Sequence, residues 1–153
     1  MVFVDRSASL NVGRHLQSGA LAYRRAVGGE IQVLLVSKRR SKQWGIPKGK
    51  VAPHLSFSEN AAKEAFEEAG VRGSVSPKAV GMLRAAKRDH RRRDRPLVIE
   101  VWIYLLEVTK CQKRWPEKNK REIRWVRWDE AAVELREPVL ADLCRRLGSP
   151  GAL

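Results

Sequence analysis

Between Ser58 and Ala69 the chain runs Ser-Glu-Asn-Ala-Ala-Lys-Glu-Ala-Phe-Glu-Glu-Ala with no internal Gly or Pro, and the run ends at Gly70. Alanine and glutamate are strong helix formers, Ser58 can act as an N-cap and Gly70 as a C-cap, so the stretch predicts a helix. At roughly 100° per residue, Glu64, Glu67 and Glu68 share one face, while Ala62, Ala65, Phe66 and Ala69 cover the opposite side. Like charges at that spacing cost an isolated helix about 0.2–0.5 kcal/mol per pair. A hard divalent cation, Mg²⁺ or alternatively Mn²⁺, would remove the repulsion, since it takes oxygen ligands from a few carboxylates together with substrate phosphates. The alternative is a solvated acidic face.

The length of 153 residues suits one core and one domain. Residues 1–16 read as a flexible arm, 17–147 as the domain and 148–153 as a tail. With 43% hydrophobic and 31% charged residues the chain is globular, and no apolar run reaches the ~20 residues of a membrane span. Cys111 and Cys144 form neither a zinc motif nor a disulfide framework, and Met1 to Asn11 lacks the pattern of a secretory signal. A reducing cytoplasm is the expected location. The formal net charge of +14 makes polyanions the expected partners.

The segments just before the helix narrow the reading. Trp44-Gly-Ile-Pro-Lys-Gly49 leads into Lys50, setting mobile backbone and two ammonium groups beside the carboxylates in sequence. Gly49, Glu64, Ala65, Glu67, Glu68, Gly70 and Val71 fall in register with a 23-residue pattern, and the segment from Gly49 to Val71 thereby resembles the Nudix box of the Nudix hydrolase superfamily. Two positions depart from it, with Leu55 in place of the first Glu and Lys63 in place of the Arg. Glu59 stands four residues before Lys63, the favourable order for an ion pair, and is expected to support Lys63 in place of the missing acid. Softer motifs, Gln17 to Arg24, Trp44 to Gly49 and Trp115 to Val126, look like the diphosphoinositol polyphosphate phosphohydrolase clade and its bacterial relatives.

Apolar runs at Gln17–Arg24 and Ile31–Ser37 flank a Gly-Gly hairpin signal. Further strands are expected at Val80–Ala86, Leu97–Val108 and Glu122–Trp128, with helices from Glu130 to Arg136, capped by Asp129, and from Pro138 to Leu147. This order predicts an α+β domain. The resemblance implies an α/β/α sandwich with a mixed sheet and a loop-helix-loop catalytic motif.

What the resemblance implies for the site is Mg²⁺-dependent hydrolysis of a phosphoanhydride. Gly49, through its carbonyl, Glu64, Glu67 and Glu68 would hold the metal, with Lys63 in support. The base is left open between a glutamate and the activated water. Arg39, Lys48 and Lys50 are the cations nearest the helix in sequence. The turn Lys87–Arg95 carries six cationic side chains, Arg91 and Arg93 among them, and reads either as a phosphate clamp or as a solvated hairpin. Trp44 is a candidate for stacking a base, and His54 for proton transfer. The substrate classes compatible with the box are diphosphoinositol polyphosphates, diadenosine polyphosphates and nucleoside di- or triphosphates. The rival reading is a non-catalytic module of the same fold that binds RNA or a signalling polyphosphate. Nucleic acid is thus a secondary partner, and no membrane partner is expected.

Overall fold

The computed structural model describes residues 14–38, 41–89, 91 and 95–149. Most of the expected arm and tail, together with Arg39, Arg40, His90, Arg92 and Arg93, lies outside them. The described residues form one eight-stranded sheet with three helices. Strands β1 (Arg14–Arg25), β2 (Ile31–Ser37), β3 (Trp44–Gly45) and β4 (Lys48–Lys50) lead to helix α1 (Phe57–Ala69). Then come β5 (Val71–Val75), β6 (Gly81–Asp89), β7 (Arg95–Cys111), β8 (Ile123–Arg127), α2 (Trp128–Glu134) and α3 (Pro138–Gly148).

The backbone of the sheet runs β3-β2-β1-β7-β5, with β4 added to β1, β6 to β7 and β8 to β2. β1 and β7 pair in parallel over ten positions, and the other pairs are antiparallel, so the sheet is mixed as expected. A period of two sorts its side chains between two cores. Ala20, Ala22, Leu34 and Val36 face α1, where Ala61, Ala65 and Ala69 close the layer. Leu21, Val33 and Leu35 face α2 and α3 and pack with Ala131, Leu140, Leu143 and Cys144. The result is an α/β/α sandwich. No helix among the described residues is long and apolar enough to cross a membrane.

Several expectations shift. β1 begins at Arg14 rather than Gln17, and β7 extends the expected strand at both ends. β5 was not foreseen, because Arg72, Gly73 and Ser74 leave only two apolar residues in five; it forms because β7 offers an edge, with a register shift at Arg72/Gly73. The Asp129 cap is not used: α2 starts at Trp128, and Asp129 accepts from Glu130 N–H while pairing with Arg127.

The N-cap of α1 is Ser56, not Ser58. Ser56 Oγ accepts the Glu59 N–H at 3.1 Å and Glu59 Oε1 accepts the Ser56 N–H at 2.9 Å, a reciprocal capping box. These bonds hold the Glu59 carboxylate below its ordinary pKa. Its stabilising effect is therefore present above the unfolded value and lost as pH falls through the folded one. Ser56→Ala should cost about 1 kcal/mol, read as a lower midpoint in urea denaturation.

Candidate active site

The apolar seam of α1 is Ala61, Ala65 and Ala69, and two of the three candidate carboxylates lie beside it rather than opposite. Glu64 is 9% exposed and Glu68 3%, whereas Ala62 and Phe66 are only half-buried. Positions 61, 64, 65 and 68 are helical neighbours, so a helix packed through small alanines brings Glu64 and Glu68 in with it. Glu67 is half-exposed at the rim.

Glu64 lies against the backbone of β4. A Cβ added at Gly49 would stand 2.4 Å from Glu64 Cδ and within 2.7 Å of both its oxygens, so glycine is the residue this approach admits. Asn60, which carried no weight in the sequence, is fully buried and ties the elements together. Its Nδ2 donates to Ser18 Oγ at 3.0 Å and, more weakly, to the Gly49 carbonyl at 3.4 Å; its Oδ1 accepts the Ala52 N–H at 3.1 Å. The carbonyl keeps a second lone pair for another partner.

Glu68 is pushed up to about pKa 8. Burial is the main cause, and it outweighs the nearby Arg121 guanidinium; Glu64 and Glu117 add repulsion, while the Lys48 backbone N–H pulls the other way. Glu68 Oε1 is buried without a hydrogen-bond partner, with Arg121 Nε at 3.6 Å. Charging this carboxylate therefore calls for a further cation beside Arg121.

Lys63 pairs with the candidate carboxylates themselves, and not with Glu59 as expected. Its ammonium lies 3.3 Å from both Glu64 Oε2 and Glu67 Oε1, and Glu59 is engaged in the capping box. Burial works against its charge, yet the bonds and charges of Glu64 and Glu67 hold it above the usual lysine range. Among the described residues no three Asp, Glu, His or Cys side chains close on one point as they stand. Glu67 would have to exchange Lys63 for a cation to complete the set.

Lys48 and Lys50 flank Gly49 on β4. Gly49 presents its Cβ direction to Glu64, so strand alternation starts both lysine side chains on the other face. What Lys48 offers Glu68 is its amide. Arg91 is exposed in the β6–β7 connection, at the end of the sheet where β1 and β7 start and β2 ends. Arg39 and Arg93 lie outside the described residues. His54 is exposed in the loop before α1.

Two residues that sequence reasoning passed over join this helix to a cavity. Arg121 Nε donates to Glu117 Oε1 at 3.1 Å, and the same guanidinium donates to the Ser37 carbonyl at 3.1 Å while facing Glu68. The loop carrying them is seated by Trp115, whose indole rests on Gly70, where φ is 70° and any Cβ would fall 2.4 Å from the ring. Their signal was present only in the Trp115 to Val126 motif that carries the clade resemblance. Arg121 lines a cavity of about 820 Å³ whose wall also carries Lys38, Lys42, Lys118 and Lys120. Trp44 forms part of the same wall, with the Arg124 guanidinium 5.1 Å from its ring centre.

A family model described as the NUDIX domain matches residues 14–147. The chain belongs to the NUDIX domain family. It is 36% identical over 101 residues to Nudix hydrolase 4 of Arabidopsis thaliana, covering 66% of this chain and 46% of that one. It is 33% identical over 125 residues to diphosphoinositol polyphosphate phosphohydrolase 2 of Rattus norvegicus, covering 77% of this chain and 63% of that one. The chain thus spans about half to two-thirds of the length of these relatives. Among solved structures, a C. elegans Ap4A hydrolase binary complex matches with a TM-score of 0.64 at 20% identity, over 86% of this chain and 93% of that one. The NUDIX domain of Shewanella oneidensis NrtR, complexed with ADP ribose, matches with a TM-score of 0.67 at 13% identity, over 97% and 100%. At these identities the structures speak for the fold.

Within this NUDIX domain the box is the loop from Gly49 with α1. Its two departures now have surroundings: Leu55 lies in the turn before the Ser56 cap, and Lys63 bridges two carboxylates.

Proposed function

We propose that this protein is a divalent-metal-dependent hydrolase of a phosphoanhydride bond in a small polyphosphorylated substrate. The observation that carries this reading is the continuity between two features. Buried Glu64 and Glu68, one with an oxygen lacking a hydrogen-bond partner, are linked through Arg121 to a cavity walled by five cationic side chains.

The all-oxygen set of Glu64, Glu68, Glu67 and the Gly49 carbonyl suits Mg²⁺ or Mn²⁺. Bound there, the cation would supply charge neutralisation of the diphosphate and a lowered pKa for the attacking water. The chain's own groups do the rest. Asn60 fixes the Gly49 backbone, Arg121 orients Glu68 and Glu117, and Lys38, Lys42, Lys118 and Lys120 would offer positive charge to phosphates entering the cavity. The cytoplasm is the proposed location, consistent with the free thiols of Cys111 and Cys144.

Purified protein with Mg²⁺ should release phosphate or a nucleotide from at least one of a diadenosine polyphosphate, a diphosphoinositol polyphosphate or a nucleoside triphosphate. Excess EDTA should abolish the release. Tight, salt-sensitive binding of these compounds or of RNA with no turnover would replace this reading by that of a non-catalytic binding module.

A further inference from the structure

The two departures from the box pattern meet at one side chain. Lys63 stands where the pattern has Arg, and Leu55, where it has the first Glu, brings no charge to it. Glu59, the acid one turn before Lys63, is taken by the Ser56 amide. The ammonium is left with Glu64 Oε2 and Glu67 Oε1, each at 3.3 Å, and both belong to the proposed metal set. An ammonium is a compact point charge, whereas a guanidinium spreads its charge over a planar fork. Between two carboxylates the lysine therefore acts as a small cation would, neutralising both. A Mg²⁺ ion draws oxygens to about 2.0–2.1 Å in near-octahedral order, so it competes for the same groups and meets a positive charge already in place.

Support and competition pull in opposite directions, and the surroundings decide between them. Glu64 is seated against Gly49, and Glu68 is buried beside Arg121, so neither depends on Lys63 for its position. Only Glu67, with its side chain 33% exposed at the rim, is placed by Lys63. Lys63 itself is 39% exposed along its side chain, so its ammonium has a path to solvent.

We infer that Lys63 is the resident counter-ion of the metal-free site and that a divalent cation binds by expelling its ammonium toward solvent, so that Lys63 weakens metal binding instead of supporting it. The inference rests on the metal set of the hydrolase reading above and deepens it, since the loaded fraction of the protein then depends on displacing a cation of its own. A purely supporting lysine would have the opposite sign: its removal would loosen Glu67 and weaken the metal.

Mn²⁺ binding is titrated by electron paramagnetic resonance at fixed ionic strength, without substrate, on wild type, Lys63→Met and Lys63→Arg. Lys63→Met, which keeps an unbranched stem and removes the charge, should bind Mn²⁺ at least about fivefold tighter, the scale of two lost exposed ion pairs. Lys63→Arg keeps the charge and should not gain affinity. Thermal melts establish that both variants fold. Lysine acetylation read by mass spectrometry gives a second measurement on wild type alone: Lys63 should react faster once Mg²⁺ is added, while the exposed Lys78 keeps its rate. Unchanged or weaker Mn²⁺ binding in folded Lys63→Met, equal tightening in Lys63→Arg, or a Lys63 acetylation rate that Mg²⁺ leaves unaltered overturns the inference. Should Lys63→Met fail to fold, the acetylation rates decide. Wild type that binds no Mn²⁺ overturns the inference together with the metal set. Mn²⁺ binding without turnover of any polyphosphate overturns the hydrolase reading alone, because the inference is read without substrate.

Discussion

Glu68→Gln is expected to lower kcat by at least ~10²-fold with the fold intact, the range for losing a general base or a charge-stabilising group. Glu68 is buried, its Oε1 has no hydrogen-bond partner, and Arg121 holds it at the point where the helix meets the cavity. The same substitution should raise stability in metal-free buffer. The folded pKa of about 8 exceeds the ordinary 4.5, so the protonated form is favoured in the fold. That contribution is complete below the ordinary value and lost as pH rises through about 8. Metal-free wild type should thus lose stability across this interval, whereas Glu68→Gln should not. Thermal melts in EDTA against pH, beside steady-state kinetics with Mg²⁺, check both halves. Near-normal turnover in the variant would remove Glu68 from the mechanism.

Gly49→Ala is expected to be nearly as damaging, for a steric reason. The new methyl would take the space of the Glu64 carboxylate, 2.4 Å from its Cδ. Because the obstacle is the end of a flexible side chain, the fold should survive and Glu64 should swing away. A displacement on the order of 1 Å at such a site can cost about 10²-fold in rate. We therefore expect kcat/KM to fall about 10²-fold and the Mg²⁺ concentration for half-maximal activity to rise, with a melting temperature close to wild type. Unchanged Mg²⁺ dependence would show that Glu64 does not need its seat on Gly49.

Much of this was legible in the chain. The helix, its end at Gly70 and the strand Ile31–Ser37 follow from local propensity and patterning, because alternation and capping are written over a few residues. The box register singled out Glu64, Glu67 and Glu68 before any contact was known. The sequence misled where local choices compete. Ser58 was the expected cap, but Ser56 prevails because Glu59 sits three residues after it and closes the box. Glu59, four residues before Lys63, looked like its partner, but the backbone amide of Ser56 holds it.

The helix of three glutamates, with its C-terminal glycine and its place in a NUDIX domain, is determined by sequence, since helical period and residue type act locally. Which glutamates are buried was decided by tertiary packing: the alanine seam docks on the sheet and carries Glu64 and Glu68 inward, leaving Glu67 at the rim. The same holds for Arg121 and Glu117, about 50 residues along the chain from Glu68, and for the cavity wall at Trp44. These residues meet only because the sheet brings the ends of β2 and α1 and the loop before β8 to one side, and no pattern within a single segment encodes that encounter.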